Sequence, residues 1–165
     1  MGGLLALRHA CLENADELLE EAQILLSKGK APRAYMLAFT ALEELGKSEL
    51  VAEYFNDMVP DAEFEEAFRD HKLKLRYLQR AVSVPEKTGG SWASAYQNEL
   101  PEPDPQRRMD TLYVHYKDRF VPVMPRQKIS AKDAADLIEE VRTAIFETRQ
   151  LARDTRRIGN KAPTT

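Results

Sequence analysis

The sequence predicts an all-α protein of four to five helices in one bundle, carrying a long proline-rich excursion with room for a small β-hairpin. Three observations predict it. Apolar residues recur at three- and four-residue spacing along four long stretches. Gly29 and Pro60 separate the first three of these by connections so short that consecutive helices must run antiparallel. Between Ser83 and Ile129 the periodicity fades, and Pro85, Pro101, Pro103, Pro105, Pro122 and Pro125, with Gly89 and Gly90, exclude a continuous helix.

The first helix is expected over Leu4 to Ser27, with Leu4, Leu7, Cys11, Ala15, Leu18, Ala22 and Leu25 on one face and Gly29 as its stop signal. The second is expected over Ala31 to Met58, with Pro32 in its first turn. Asp61 then reads as an N-cap for a third helix over Ala62 to Val82, whose stripe is Phe64, Phe68, His71, Leu75, Leu78 and Val82. Within the excursion, Thr111 to Tyr116 and Phe120 to Val123 have strand-like composition around Lys117, Asp118 and Arg119. Ser130 with Asp133 opens a last helix that should reach Arg157, burying Ala134, Leu137, Ile138, Val141, Ala144, Ile145, Thr148 and Ala152. The whole is expected to be one domain, residues 1–158, with 83–129 as an inserted loop region and 159–165 as a disordered tail.

Composition narrows the function classes. A formal net charge of −3 over 165 residues exerts no general attraction on nucleic acid or anionic lipid, so any RNA contact must be local. The single cysteine, Cys11, sits on an apolar helical face and reads as a small buried hydrophobe, with no disulfide framework. No apolar run is long enough to span a bilayer, and Arg8 and His9 interrupt the apolar start, so a cytoplasmic protein without membrane association is expected.

The most informative stretch is ALEELGK, Ala41 to Lys47. On a helical projection Ala34, Leu37, Ala38, Ala41, Leu45, Ser48, Ala52 and Phe55 share a face built largely from small residues. Glu44 borders that face, Glu43 points away from it, and Lys47 is within reach of both. Gly46 costs roughly 1 kcal/mol against alanine inside a helix, which suggests a close approach by another backbone or a ligand. If the second and third helices pack antiparallel, Glu44 and His71 meet at their middles. The carboxylate would then fix the imidazole tautomer and leave the other ring nitrogen for proton transfer. Lys72 and Lys74 flank the same stripe and would favour neutral imidazole or meet phosphate.

No metal or cofactor is expected. None of His9, His71 and His115 is preceded three residues earlier by glutamate, and the paired zinc spacings are absent. Nucleotide-binding glycine loops and serine-nucleophile motifs are absent too. Arg108 and His115, six residues apart, do match an arginine and histidine spacing used for metal-free RNA cleavage. Their setting, a proline-rich excursion and a strand, favours chance.

ALEELGK, then HKLK at 71–74, then an arginine followed by LYVHY and a proline resemble the abortive infection protein AbiV family, over roughly Leu4 to Arg157. That family is assigned to the HEPN superfamily of small helical domains. The resemblance implies a four-to-five-helix HEPN-like bundle, usually dimeric, in a bacterial anti-phage protein that halts infected cells through translation arrest and association with a phage protein. Many HEPN relatives are metal-independent ribonucleases in which arginine and histidine act on RNA, with the 2′-hydroxyl as nucleophile and a cyclic phosphate as product. The chain departs from the family pattern in two places. Arg69 stands too close to His71 for the superfamily spacing, and His115 replaces an expected acidic residue.

Three readings follow. In the first, the protein is an RNA-cleaving toxin whose catalytic residues are His71, Glu44, Lys47 and Arg108, with Lys72, Lys74, Arg69 and Tyr113 contacting RNA. In the second, a non-enzymatic binding module docks a phage-encoded or translation protein. The third is a helical dimerisation domain whose Glu44, Lys47 and His71 satisfy one another in the core.

Overall fold

The structure, a computed structural model, describes residues 2–70, 73–74 and 105–159, and of 105 and 151–159 the backbone alone. Six helices and one two-stranded sheet make up the described residues: α1 (Gly2–Ser27), α2 (Ala31–Phe55), α3 (Asp61–Arg69), α4 (Pro105–Leu112), β1 (His115–Lys117), β2 (Val121–Val123), α5 (Pro125–Lys128) and α6 (Ala131–Gly159). The all-α expectation holds, with two short helices and the hairpin contributed by the second half of the excursion. Residues 75–104, including Leu75, Leu78 and Val82 of the expected third helix, lie outside the described residues, as does the tail beyond Gly159.

α1 and α2 form an antiparallel hairpin closed by Gly29. At φ +70 this residue takes the left-handed conformation that a side chain resists, so the Gly29 amide reaches the Leu26 carbonyl and the Lys30 amide that of Leu25, both at 2.9 Å. The same closure recurs at the end of α2. Asp57, at φ +56, donates to the Tyr54 carbonyl while Met58 donates to that of Glu53. This ends the helix at Phe55, ahead of the Met58 that the proline alone would allow. Pro60, not Asp61, occupies the N-cap position of α3, with no side-chain cap, and Asp61 instead accepts a hydrogen bond from the Tyr54 hydroxyl at 2.8 Å.

The third helix is shorter than its apolar spacing suggests. Asp70 is extended, with φ −81 and ψ 124, and its carboxylate accepts the Leu73 amide at 3.0 Å. An aspartate that caps the next helical turn competes with continuation of its own, so α3 stops at Arg69 and helical backbone resumes at Leu73 and Lys74.

The main core joins α1, α2 and α6: Leu12, Ala15, Leu19 and Ala22 face Ala34, Ala38, Leu42 and Leu45, with Leu137, Ile138, Val141 and Ile145 closing the third side. α6 buries the face that its spacing predicts through Thr148, while the Ala152 side chain lies outside the described residues. Its start is capped reciprocally. Asp133 accepts from the amide and hydroxyl of Ser130 at 2.9 and 2.5 Å, and the Asp133 amide donates back to that hydroxyl at 3.1 Å. These two Ser130 bonds, then the Arg107 guanidinium, hold the Asp133 carboxyl below its usual range. A smaller apolar group, Leu50, Val59 and Ala67 with Phe64, Phe68 and Leu73, joins the far end of α2 to α3 and its continuation. α2 is thus the hub, touched by α1, α3, α4, α5 and α6. No described helix is long and apolar enough to cross a membrane.

Candidate functional site

Because α2 is packed on several sides, its middle has no solvent face: every residue from Ala41 to Gly46 is buried. Glu43, expected to point away from the small-residue stripe, does not thereby reach water. At 3 % exposure Glu43 is more buried than Glu44, at 9 %. A two-sided projection assumes water on the face away from α1, and α4 occupies that side instead. The guanidinium of Arg108, carried on α4, lies 3.6 Å from the Glu43 carboxylate. Lys47 does not bridge the two glutamates as their spacing allowed; it donates to Glu44 Oε1 at 2.5 Å. Its ammonium also lies over the Phe68 ring of α3, 5.4 Å from the centroid, a cation–π placement that keeps the charge partly sheltered.

The close approach that Gly46 suggested is made by Lys74. A Cβ placed on Gly46 would lie 2.2 Å from the Lys74 carbonyl oxygen and 2.6 Å from its carbonyl carbon. The glycine lets the resumed helical segment press its backbone onto α2, and this brings Lys74 into the same buried region. Burial first, and the Lys47 ammonium next, lower the lysine's pKa; Glu43 and Glu44 oppose the shift and Arg108 adds to it. Such a group weighs against folding while charged, and that burden lifts as pH rises through its lowered value. On the α1 side, burial pushes the Cys11 thiol up to about 11, with Glu44 adding to the effect and Lys47 and Lys74 countering it. The cysteine is a neutral core residue.

The centre thus gathers Glu43, Glu44 and Lys47 from α2, Lys74 from beyond α3, and Arg108 from α4. Of the residues singled out from sequence, Glu44, Lys47, Lys74 and Arg108 belong to it. Arg69 does not: its side chain is exposed and pairs with Glu65 at 3.0 Å along the same helix. Tyr113 is 54 % exposed just past the end of α4, toward the hairpin. His71 and Lys72 lie outside the described residues.

Two features exceed the sequence reading. Arg108 sits on a helix, α4, whose start at Pro105 was masked by the run of prolines around it. His115 opens β1, and its Nε2 lies 3.0 Å from Asp110 Oδ1, an ion-pair distance without the alignment of a hydrogen bond. Proline at a first helical position, followed by residues with no further proline or glycine until Pro122, was the signal available for α4. α4 itself is held to the bundle by Arg33, which donates to the Thr111 carbonyl at 2.9 Å, and by the Arg107–Asp133 ion pair.

Six described helices with one two-stranded hairpin make an all-α bundle of HEPN-like kind. The family model for AbiV matches residues 3–145. The chain belongs to the AbiV family of HEPN proteins, and is an abortive-infection protein of that type. No curated protein and no solved structure matches it.

Proposed function

We propose that this protein halts infected cells by cutting RNA, as a metal-independent HEPN endoribonuclease working as a homodimer. One observation carries the reading. Two groups suited to phosphodiester cleavage each rest against a carboxylate: Arg108 against Glu43, and His115 against Asp110. Carboxylate partners orient such side chains before substrate arrives, which is where positional catalysis gains most of its advantage. The histidine takes the proton of a 2′-hydroxyl, whose oxygen attacks the adjacent phosphorus. The bond to the 5′-oxygen breaks, that oxygen takes a proton from water, the histidine returns its own proton to solvent, and the products are a 2′,3′-cyclic phosphate and a free 5′-hydroxyl. Arg108 offsets the charge that builds on the non-bridging oxygens. Glu44, Lys47 and Lys74 set the field behind it.

His71, the histidine favoured by the sequence, is the second candidate for that proton transfer. The test incubates purified protein with transfer RNA and total RNA in chelator, and compares His71→Ala with His115→Ala. Loss of cleavage in one variant assigns proton transfer to that histidine. An inert wild type, or undiminished cleavage in both variants, would overturn the reading.

A further inference from the structure

The strands β1 and β2 pair antiparallel, with His115 opposite Val123, Tyr116 opposite Pro122 and Lys117 opposite Val121. The turn between them places both Arg119 (φ +53) and Phe120 (φ +65) in the left-handed region. Such turns ordinarily use asparagine and glycine, because a bulky side chain resists that conformation. Here the strained pair carries a guanidinium and a phenyl ring to the tip. Phe120 is 81 % exposed and Tyr116 72 %, their ring centroids 5.5 Å apart at 43° between planes.

The charge around these rings is opposite to that of the molecule. From Pro105 to Lys128 six lysines and arginines stand against two aspartates, a surplus of four positive charges in a chain of net −3, so the remainder carries −7. Arg107 and Arg108 are engaged with Asp133 and Glu43, and Lys128 lies 3.9 Å from Asp110. Lys117, Arg119 and Arg126 are exposed and have no ionic partner among the described residues. The base of the platform is anchored by the Arg33 bond to Thr111 and the Asp110–His115 pair.

We propose that this hairpin is the docking platform for single-stranded RNA: its rings stack on unpaired bases and Lys117, Arg119 and Arg126 follow the phosphates. The assignment deepens the RNA-directed reading above and rests on it. Exposed rings interleaved with unpaired cations are what a single strand requires, since every base has a stacking face and every linkage a charge. A protein-binding patch also favours exposed aromatics and arginine, but its centre is depleted of charge, whereas these rings lie among exposed cations without ionic partners among the described residues.

The test measures fluorescence anisotropy of a labelled, uncleavable 2′-O-methyl oligouridine about 12 nucleotides long, within the span such platforms cover. Phe120→Gly removes the ring while relieving the left-handed turn, so it should fold at least as well as the wild type by thermal melting. Its affinity should fall about 5- to 150-fold, the loss of one stacked base. Lys117→Gln with Arg119→Gln should flatten the slope of log affinity against log salt by about 1.4, two phosphate contacts on a single strand. Duplex RNA, whose bases are already stacked, should bind more weakly. Undiminished affinity in both variants, equal affinity for duplex, or hairpin variants that alter only self-association in sedimentation would each overturn the assignment. Binding of the uncleavable strand by a protein that cuts no RNA leaves the platform standing and ends the nuclease reading. Cleavage indifferent to both substitutions does the reverse.

Discussion

Gly46→Ala is expected to destabilise the protein by about 1–3 kcal/mol, the usual cost of forcing one extra carbon into a packed site. Helix propensity alone predicts the opposite sign, a gain of roughly 1 kcal/mol for alanine in a helix interior. The outcome is decided by the atoms the new methyl would meet. They are the carbonyl oxygen and carbon of Lys74, at 2.2 and 2.6 Å, and backbone cannot rotate away as a side chain can. Gly3→Ala is the internal control, because nothing lies within 4 Å of a Cβ there and the residue is also helical. Urea midpoints of the two variants should move in opposite directions. A Gly46→Ala midpoint at or above that of the wild type would mean that the Lys74 segment yields freely, and the packing account of Gly46 would fail.

Arg108→Ala should lower RNA cleavage by about 10²–10³, the loss typical when a group that stabilises transition-state charge is removed. It should also cost stability, because it withdraws the guanidinium from a carboxylate that is 3 % exposed. Breaking a fully buried pair costs about 3–5 kcal/mol; with a quarter of the Arg108 side chain exposed, the expected loss is at or below the lower end of that range. Arg108→Lys separates the two effects. It keeps the charge beside Glu43 but loses the planar fork that matches phosphate, so stability should largely return while cleavage does not. If Arg108→Lys cleaves like the wild type, and Arg108→Ala loses activity only in proportion to its unfolded fraction, the arginine is structural.

Much of the scaffold was legible in the chain itself, and the failures share a cause. The face of α6 is amphipathic in the ordinary way, one side apolar and one wet, so spacing locates its buried residues. On α1 it finds Cys11, Ala15 and Ala22 but misses buried Leu12 and Leu19, while Leu4, Leu7, Leu18 and Leu25 are half-buried. α2 breaks that assumption because it is enclosed. Its charges face neighbours instead of water, and no projection of a single helix reveals that Glu43 lies deeper than Glu44. Gly46 was readable because a glycine in a helix interior is costly and invites an explanation. Which backbone comes close, that of Lys74, depends on the interruption at Asp70. There the apolar spacing continues through a capping aspartate and gives the wrong impression of an unbroken helix. Tertiary demands overruled local pattern in the excursion as well. Its prolines concealed α4, and with it the helical setting of Arg108 and the carboxylate beside His115. The hairpin was visible in composition, although its first strand is shorter than expected and begins at His115.

The ion pair between Glu43 and Arg108 also bears on the order of assembly. α1 and α2 are joined by a tight turn and meet through contacts near in sequence, whereas Arg108 must close the whole 43–108 interval before it meets its carboxylate. Loop-closure entropy therefore delays the second event. On this ground Glu43 is expected to stay hydrated while the first hairpin condenses and to lose its water when α4 docks. Stopped-flow measurements on Arg108→Ala should accordingly show faster unfolding with nearly unchanged refolding; slowed refolding would instead put α4 in the nucleus. A hub helix with acidic residues on its inner faces is thus a late lock, closed by the segment that carries the arginine.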